Sequence, residues 1–123
     1  MTHSAILVED NQTIRDQLTE ALLDLSNIRV IAFAETANEG IALCAQPSGW
    51  SLAVVDLFLR QGSGFEVLRS IRDRSRNTRV VVLSNYATSD MRKRCEAFGS
   101  DAVFDKSTEL DDFFEYCVGA FPN

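Results

Sequence analysis

Five polar residues in this chain lie at the ends of apolar runs. Glu9 and Asp10 follow the first run, Asp56 follows the third, Ser84 follows the fourth, and Lys106 lies just past the fifth. Taken singly, each has an ordinary explanation, because an acid after a strand often caps a helix and a surface lysine is usually solvated. Their combination is more informative, since it brings three carboxylates, a hydroxyl and an ammonium to equivalent places in the sequence.

Three carboxylates close together need a counter-charge. Each close pair repels by about 4 kcal/mol at an effective dielectric typical of a protein surface. Such a cluster therefore either raises its pKa values or binds a cation. A hard divalent ion suits oxygen ligands, and Mg²⁺, or Mn²⁺ in its place, fits best if waters and a phosphate oxygen complete its coordination.

An ionised aspartate, a metal, a lysine and a hydroxyl donor are the groups that phosphoryl transfer requires. We therefore predict that Asp56 accepts a phosphoryl group, with the cation held beside Glu9 and Asp10. An ionised carboxylate is already nucleophilic, so no general base is needed. His3, which precedes the first apolar run, is accordingly expected to be solvated rather than catalytic.

The apolar runs predict five strands. Runs rich in Val and Ile without polar alternation indicate strands covered on both faces, as in a parallel sheet. The predicted strands are Ala5 to Val8, Val30 to Ala34, Leu52 to Val55, Val80 to Leu83 and the shorter Ala102 to Phe104. Strict alternation with helices and right-handed crossovers predicts a doubly wound α/β domain, in which ligands bind at the carboxyl ends of the strands.

Apolar residues at helical spacing lie between the strands and predict amphipathic covering helices. The sets are Ile14, Leu18, Leu22 and Leu25; Met91, Cys95 and Phe98; and Leu110, Phe113, Phe114 and Cys117. Thr36 with Glu39, and Ser63 with Glu66, have the spacing at which a hydroxyl and a carboxylate cap a helix reciprocally. Gly99 follows the fourth helical pattern, where a left-handed residue is favourable.

Composition limits the class of protein. A chain of 123 residues with 46% hydrophobic content suits one domain. The net charge of −6 and pI near 4.7 argue against a nucleic-acid surface. The first residues lack the layout of a secretory signal, and no apolar run approaches membrane-spanning length. The three cysteines have no C-x-x-C pair and read as reduced core thiols, so we expect a cytoplasmic protein.

With these residues in place, the sequence resembles the receiver domain of bacterial two-component response regulators. The matching segments are V-E-D at 8–10, V-V-D-L at 54–57, V-V-L-S at 81–84 and G-S-D-A-V-F-D-K at 99–106, together with the spacing from Asp56 to Gly64. The resemblance covers essentially the whole chain. It implies a flavodoxin-like, CheY-like sheet with strand order 2-1-3-4-5 and five helices, forming one domain over residues 1–121 with Pro122 and Asn123 as a tail.

The resemblance also implies roles for individual residues. Asp56 would be the phosphoacceptor, and the metal would be held by Glu9, Asp10, Asp56 and the backbone carbonyl of Phe58. Lys106 would bind the phosphate and Ser84 would be the switch hydroxyl. The phosphoryl group would come from a sensor histidine kinase or a phosphotransfer protein. A downstream protein would read the face made by the fourth helix, fifth strand and fifth helix, so the domain would be regulatory and not an enzyme.

Several positions depart from the family pattern. The position that usually carries an aromatic switch residue is Val103, and strand alternation should point Phe104 to the opposite face. Lys106 is followed by Ser107 instead of proline, and Ser107 looks like the cap of the fifth helix.

Asn85 stands where a small residue usually leaves room for the phosphate. Two bulky residues, Phe58 and Tyr86, flank the site, and we expect them to hinder attacking water and prolong the life of a phosphoaspartate.

Other interpretations stay open at this point. The main alternative is a protein-binding module of the same fold that is never phosphorylated. The departures at Val103 and Asn85 support this alternative. A flavodoxin-type phosphate or flavin site would want Ser, Thr or Gly after the first strand, where this chain has acids. A D-x-D phosphatase would need an acid at Phe58.

Charge offers a further hypothesis about partners. Arg92, Lys93 and Arg94 lie on the fourth helix, and Asp111, Asp112 and Glu115 lie on the fifth. These are either ordinary solvated faces or surfaces that pair across a two-fold axis in a phosphorylation-dependent homodimer.

Overall fold

Five parallel strands form one sheet in the order β2-β1-β3-β4-β5, as the resemblance implied. The computed structural model describes residues 3–46, 49–75 and 77–122, so Asn123 of the predicted tail and the first two residues of the predicted domain lie outside the described residues. The elements are β1 (His3–Val8), α1 (Gln12–Ser26), β2 (Ile28–Ala34), α2 (Ala37–Ala45), β3 (Leu52–Val55), α3 (Gly64–Ser70), β4 (Arg79–Ser84), α4 (Ser89–Ala97), β5 (Ala102–Asp105) and α5 (Leu110–Ala120).

The sheet is covered on both faces by helices. Side chains alternate along each strand, so Ile6 and Val8 of β1 pack into one cluster while Leu7 packs into the other. The first cluster includes Val67 of α3 and Cys95 of α4; the second includes residues of α1 and α5, among them the fully buried Phe113. This two-layer core holds the carboxyl ends of the strands at one rigid edge.

Strand β2 departs from the prediction of a strand covered on both faces. Ile31 is 44% exposed and Phe33 is 55% exposed. The reason is that β2 is an edge strand with only β1 beside it, and the register shifts so that Ala5 pairs with Val30 while Ile6 pairs with Ala32. Arg29, Ile31 and Phe33 alternate along the exposed face of β2, and Ile31 is the residue left without a partner at the shift.

Helix α1 also differs from the predicted pattern in one position. Its buried residues are Arg15, Leu18, Leu22 and Ser26, whereas Leu25 is 59% exposed. The apolar spacing therefore predicted the helix and most of its buried face, but it assigned the last turn to the wrong side and did not include an arginine.

The predicted helix ends are mostly confirmed. Thr36 and Glu39 form the reciprocal capping box at α2. Ser63 caps α3, but its hydroxyl accepts the N–H of Phe65, two residues on, so the predicted reciprocal cap with Glu66 is wrong. Gly99 has a positive φ of +101° just past α4. The prediction for Ser107 is wrong: α5 begins at Leu110 after Glu109, and Ser107 lies in a turn where its N–H donates to Asp105.

The three cysteines are buried and free, as expected of core thiols. Burial raises the pKa of Cys44 and of Cys95 to about 11 and that of Cys117 to about 12. These thiols are therefore protonated at neutral pH and pack as small apolar side chains.

Two glycines give a matched test of how tightly the site edge is packed. A Cβ on Gly64 would lie 2.3 Å from the Asp56 carbonyl oxygen, whereas a Cβ on Gly119 in α5 meets nothing within 4 Å. We expect Gly64→Ala to lower the free energy of unfolding by about 1–3 kcal/mol through overpacking. Gly119→Ala should raise it by about 0.5–1 kcal/mol through helix propensity. Urea titration would measure both, and equal effects in the two variants would contradict the packing argument.

Candidate functional site

The backbone pairing of the strands brings the predicted site residues together. The N–H of Glu9 donates to Ala34, and the N–H of Asp56 donates to Val8, both at 2.9 Å. The N–H of Lys106 donates to the carbonyl of Ser84 at 3.0 Å. Glu9, Asp56 and Lys106 are thus each the first residue after a strand, held by a hydrogen bond to the end of the neighbouring strand.

Lys106 lies between two carboxylates. Its ammonium is 3.0 Å from Asp56 Oδ2 and also forms an ion pair with Glu9 Oε1. The side chains are largely buried, with 9% of Lys106, 5% of Glu9 and 10% of Asp56 exposed. One ammonium is therefore shared by two buried acids, a contact with Glu9 that the sequence alone had not predicted.

Burial dominates the titration of this cluster. It raises the pKa of both Glu9 and Asp56, and the opposing effect of Lys106 is too small to bring either pKa back to its ordinary value. Burial also acts to lower the pKa of Lys106, but its hydrogen bonds and charge interactions with Glu9 and Asp56 outweigh this and raise it. The cluster is short of positive charge.

The three acids are placed to share a cation. Glu9, Asp10 and Asp56 each offer an oxygen, and these oxygens lie within 4.8 Å of one another. Ligands of one Mg²⁺ stand about 2.1 Å from it, which puts neighbouring ligand oxygens about 3–4 Å apart, so small side-chain rotations would bring the three onto one ion. A donor set made only of carboxylate oxygens suits a hard divalent ion.

A shallow cavity of about 220 Å³ opens over the acids. Phe58 and Tyr86 form its rim, with ring centroids 4.8 Å apart in an edge-to-face contact and side chains 54% and 59% exposed. The N–H of Phe58 faces Asp56 Oδ1 at 3.4 Å. The full lining is Glu9, Asp10, Asn11, Ile14, Asp56, Phe58, Asn85, Tyr86 and Lys106.

Ser84 and Asn85 both lie at the site, in different environments. Ser84 is fully buried at the end of β4, and its hydroxyl oxygen accepts the N–H of Tyr86 at 3.0 Å. Asn85 is exposed, and its side-chain oxygen accepts the hydroxyl of Ser107 at 3.1 Å. Ser107 therefore joins the loop after β4 to the loop after β5.

The switch position on β5 has the predicted arrangement. Val103 is buried with the cluster on the α4 side of the sheet. Phe104 points the other way, where its ring lies 6.0 Å from that of Phe113 and 5.8 Å from that of Tyr116. No aromatic side chain of β5 thus faces α4 among the described residues. His3, expected to be solvated, is half-buried and packs against Phe121 with centroids 4.9 Å apart.

Two arginines contribute to the site region and were not predicted to. Arg15 of α1 is buried; it donates to the carbonyl of Glu9 and to the carboxylate of Glu35, both at 3.0 Å. Arg92 of α4 pairs with Glu109, while Arg94 stacks over Phe65 on the other side of the helix.

Sequence signals for these two arginines existed. Arg15 lies three residues before the buried Leu18, and Arg92 lies three before the buried Cys95, so each continues a covered helix face. Of the three basic residues on α4 that suggested a dimer surface, two are engaged within the chain and Lys93 is exposed.

The fold and the site define a receiver domain, and comparison with known proteins agrees. The chain belongs to the response regulator receiver domain family, whose model matches residues 5–117. It is 30% identical over 109 residues to the acid tolerance regulatory protein ActR of Rhizobium meliloti, which covers 89% of this chain and 55% of that protein. It is 29% identical to the photosynthetic apparatus regulatory protein RegA of Rhodobacter capsulatus, covering 89% of this chain and 58% of that protein.

Solved receiver domains superpose on the whole chain. The non-phosphorylated HemR receiver domain from Leptospira biflexa has a TM-score of 0.83 at 25% identity, covering 99% of this chain and 96% of that one. The BeF3-activated DrrB receiver domain has a TM-score of 0.82 at 20% identity, with both chains fully covered. The chain spans a little over half the length of the curated relatives named above. No helix in the described part of the chain is long and apolar enough to cross a membrane.

The Lys106 pairs predict a pH-dependent stability. Lys106→Met leaves two buried carboxylates without a cation, so at pH 7 without divalent metal we expect the free energy of unfolding to fall by about 3 kcal/mol. The unpaired acids have pKa values above those of the unfolded chain, so they take up protons in the folded variant as pH falls, and the deficit should shrink towards pH 4.

In the wild type, the raised pKa of Lys106 has the opposite consequence: its contribution is complete below its unfolded pKa, near 10.4, and is lost as pH rises through the higher folded value. Urea titrations at several pH values would check both limbs. Lys93→Met, which removes an exposed lysine, should have little effect. A deficit in Lys106→Met that is the same at pH 7 and pH 4 would show that the ion pairs are not its cause.

Proposed function

We propose that this domain is a phosphoacceptor in two-component signalling and that Asp56 takes the phosphoryl group. The observation that carries the proposal is the contact between the Asp56 carboxylate and the Lys106 ammonium at 3.0 Å, beside Glu9 and Asp10. A phosphoryl group on Asp56 would keep negative oxygens in reach of the same ammonium, so the pair is suited to both states of the acid.

The chemistry follows from these groups. An ionised oxygen of Asp56 attacks the phosphorus of the donor; a P–O bond forms and the bond from phosphorus to the leaving atom breaks. With a phosphohistidine donor, the imidazole nitrogen leaves with the electron pair. The phosphoryl oxygens then meet Lys106 and the Ser84 hydroxyl, whose oxygen already accepts the N–H of Tyr86 and whose hydrogen is free to donate.

Mg²⁺, or Mn²⁺ in its place, is the proposed cofactor. Carboxylate oxygens of Glu9, Asp10 and Asp56, with the backbone carbonyl of Phe58, would hold it at the acid cluster. When bound, it would neutralise charge on the phosphoryl oxygens. The shortage of positive charge around the three acids supports this assignment, because the single charge of Lys106 balances only part of the negative charge of the cluster.

The proposed partners are a sensor histidine kinase or phosphotransfer protein as donor, and a downstream protein that reads the face of α4, β5 and α5. The domain would be regulatory and would promote only its own phosphorylation and dephosphorylation.

A phosphotransfer assay with a histidine-phosphorylated kinase domain tests the donor. We expect the wild type to accept the phosphoryl group and Asp56→Asn not to accept it; transfer to both proteins would exclude Asp56 as the acceptor. The cytoplasm is the proposed location, which cell fractionation would test.

Chemical phosphorylation tests the acceptor directly. With acetyl phosphate and Mg²⁺, intact mass should show one phosphoryl group on the wild type and on Asp73→Asn, an exposed acid remote from the site. Asp56→Asn should show none. Asp10→Asn should be modified at least about tenfold more slowly, since one metal ligand is lost. A wild type that stays unmodified would instead support the unphosphorylated binding module, to which Val103 and Asn85 also point.

The aromatic rim predicts a long-lived phosphoaspartate. Phe58 and Tyr86 stand over the acids and restrict the path of an attacking water. We expect the double variant Phe58→Asn/Tyr86→Ala to lose phosphate about tenfold faster, which is about 1.4 kcal/mol in activation free energy. Leu25→Ala, which trims an equally exposed apolar side chain at the end of α1, should keep the wild-type rate. Decay followed by intact mass would decide, and an unchanged rate in the double variant would refute the shielding role.

A further inference from the structure

One side chain, that of Arg92, connects three segments beside the proposed phosphoacceptor. Its Nε donates to the carbonyl of Ala87 at 2.9 Å, and one terminal nitrogen donates to the carbonyl of Val103 at 3.0 Å. Its other terminal nitrogen pairs with the carboxylate of Glu109 at 2.5 Å. We call Arg92 with these three acceptors the Arg92 clamp.

The clamp lies between the two loops that reach the site. Ala87 is three residues beyond Ser84, in the loop that leads from β4 to α4. Glu109 immediately precedes α5, and the same carboxylate oxygen also accepts the N–H of Asp105 at 2.9 Å. Asp105 adjoins Lys106, so the clamp spans from the Ser84 loop to the segment that carries the lysine.

The position of β5 at the edge of the sheet explains why the Val103 carbonyl accepts a hydrogen bond from Arg92. β5 is the last strand of the sheet and pairs only with β4, so its outward carbonyls have no strand partner. Arg92 supplies a donor to one of them, at Val103. A guanidinium is suited to this because its donors are held in a rigid fork and can serve several acceptors at once. The side chains of Arg92 and Glu109 are 33% and 29% exposed, which partly shields the pair from water.

Val103 itself is poorly equipped to report on the site. Its side chain is buried and has no polar atom, and Phe104 faces the opposite side of the sheet. Arg92 therefore joins the loop after β4 to β5 itself and to the start of α5, whereas the Ser107–Asn85 hydrogen bond joins only the two loops.

We propose that Arg92 couples the state of Asp56 to the surface formed by β5 and the start of α5, a positioning role that an aromatic side chain on β5 would otherwise have. The inference rests on the proposed function of Asp56. A phosphoryl group on Asp56 would accept a hydrogen bond from the Ser84 hydroxyl, and a shift of Ser84 toward it would move the following loop and with it the Ala87 carbonyl. Because one planar guanidinium serves all three acceptors, a shift of Arg92 with the Ala87 carbonyl would strain or break its bonds to Val103 and Glu109.

Hydrogen exchange with beryllofluoride and Mg²⁺ as the phosphoryl analogue tests this. In the wild type, binding should change exchange in residues 84–87 and in residues 103–110. In Arg92→Met, the change at 84–87 should remain and the change at 103–110 should fall by more than half, because only the direct responses of Lys106 to the bound analogue and of Ser107 to Asn85 stay in place. Without beryllofluoride, Arg92→Met should also exchange the Asp105 and Glu109 amides about tenfold faster, because a charge-assisted hydrogen bond has been removed.

Three further variants make the result specific. Arg94→Met removes the neighbouring arginine that stacks on Phe65 and should respond as the wild type does. Arg92→Lys keeps the positive charge but loses the planar guanidinium, and it should show less than half of the wild-type change in exchange at residues 103–110. This variant also provides the test if Arg92→Met folds poorly. Glu109→Gln should weaken the far-side response, and combining it with Arg92→Met should add nothing.

The outcomes separate the two proposals. An Arg92→Met protein that binds beryllofluoride and still shows the full change at 103–110 overturns the clamp and leaves Asp56 untouched. A wild type that binds no beryllofluoride and takes no phosphate from acetyl phosphate overturns both. A change at 103–110 lost equally in Arg92→Met and Arg94→Met would refute a specific role for Arg92.

Discussion

The ammonium of Lys106, held between Glu9 and Asp56, is the interaction on which the site depends. Two carboxylates can be buried at the ends of neighbouring strands because the Lys106 ammonium forms an ion pair with each of them. Lys106 follows β5, whereas Asp56 and Glu9 follow β3 and β1, so its side chain must pass the end of β4. Ser84 stands there, small and fully buried, and a bulkier residue would obstruct that path.

The same pairing makes the site sensitive to charge. With one ammonium against three acids, the empty cluster is negative and attracts a divalent cation, while an approaching phosphoryl group is repelled until that charge is neutralised. A bound metal, a phosphoryl group on Asp56 and Lys106 would therefore be linked through one local charge balance. The Arg92 clamp begins in the loop after Ser84 and, as proposed above, would transmit a change at the site to β5 at the edge of the sheet.

The parts of this structure that the sequence predicted are those set by a single element. Apolar runs predicted every strand, and because parallel strands end at one edge, the polar residues after them could be grouped from the sequence alone. Residues whose role depends on another element were missed. Arg15 and Arg92 reach neighbouring segments through long side chains, and Ser107 meets Asn85 across a gap of 22 positions. The exposure of Phe33 likewise depends on which strand lies beside β2.

The bulge in β2 affects how this domain behaves beside other copies of itself. An edge strand offers a row of unpaired backbone groups to any passing strand, and long flat edges of that kind promote aggregation. The register shift at Ile31 makes the strand less regular, and the Arg15 guanidinium, 4.1 Å from the centroid of the Phe33 ring, places a charge over the exposed aromatic residue of the strand. An edge that is irregular and partly covered by charge is a poorer template for a sixth strand than a flat apolar edge.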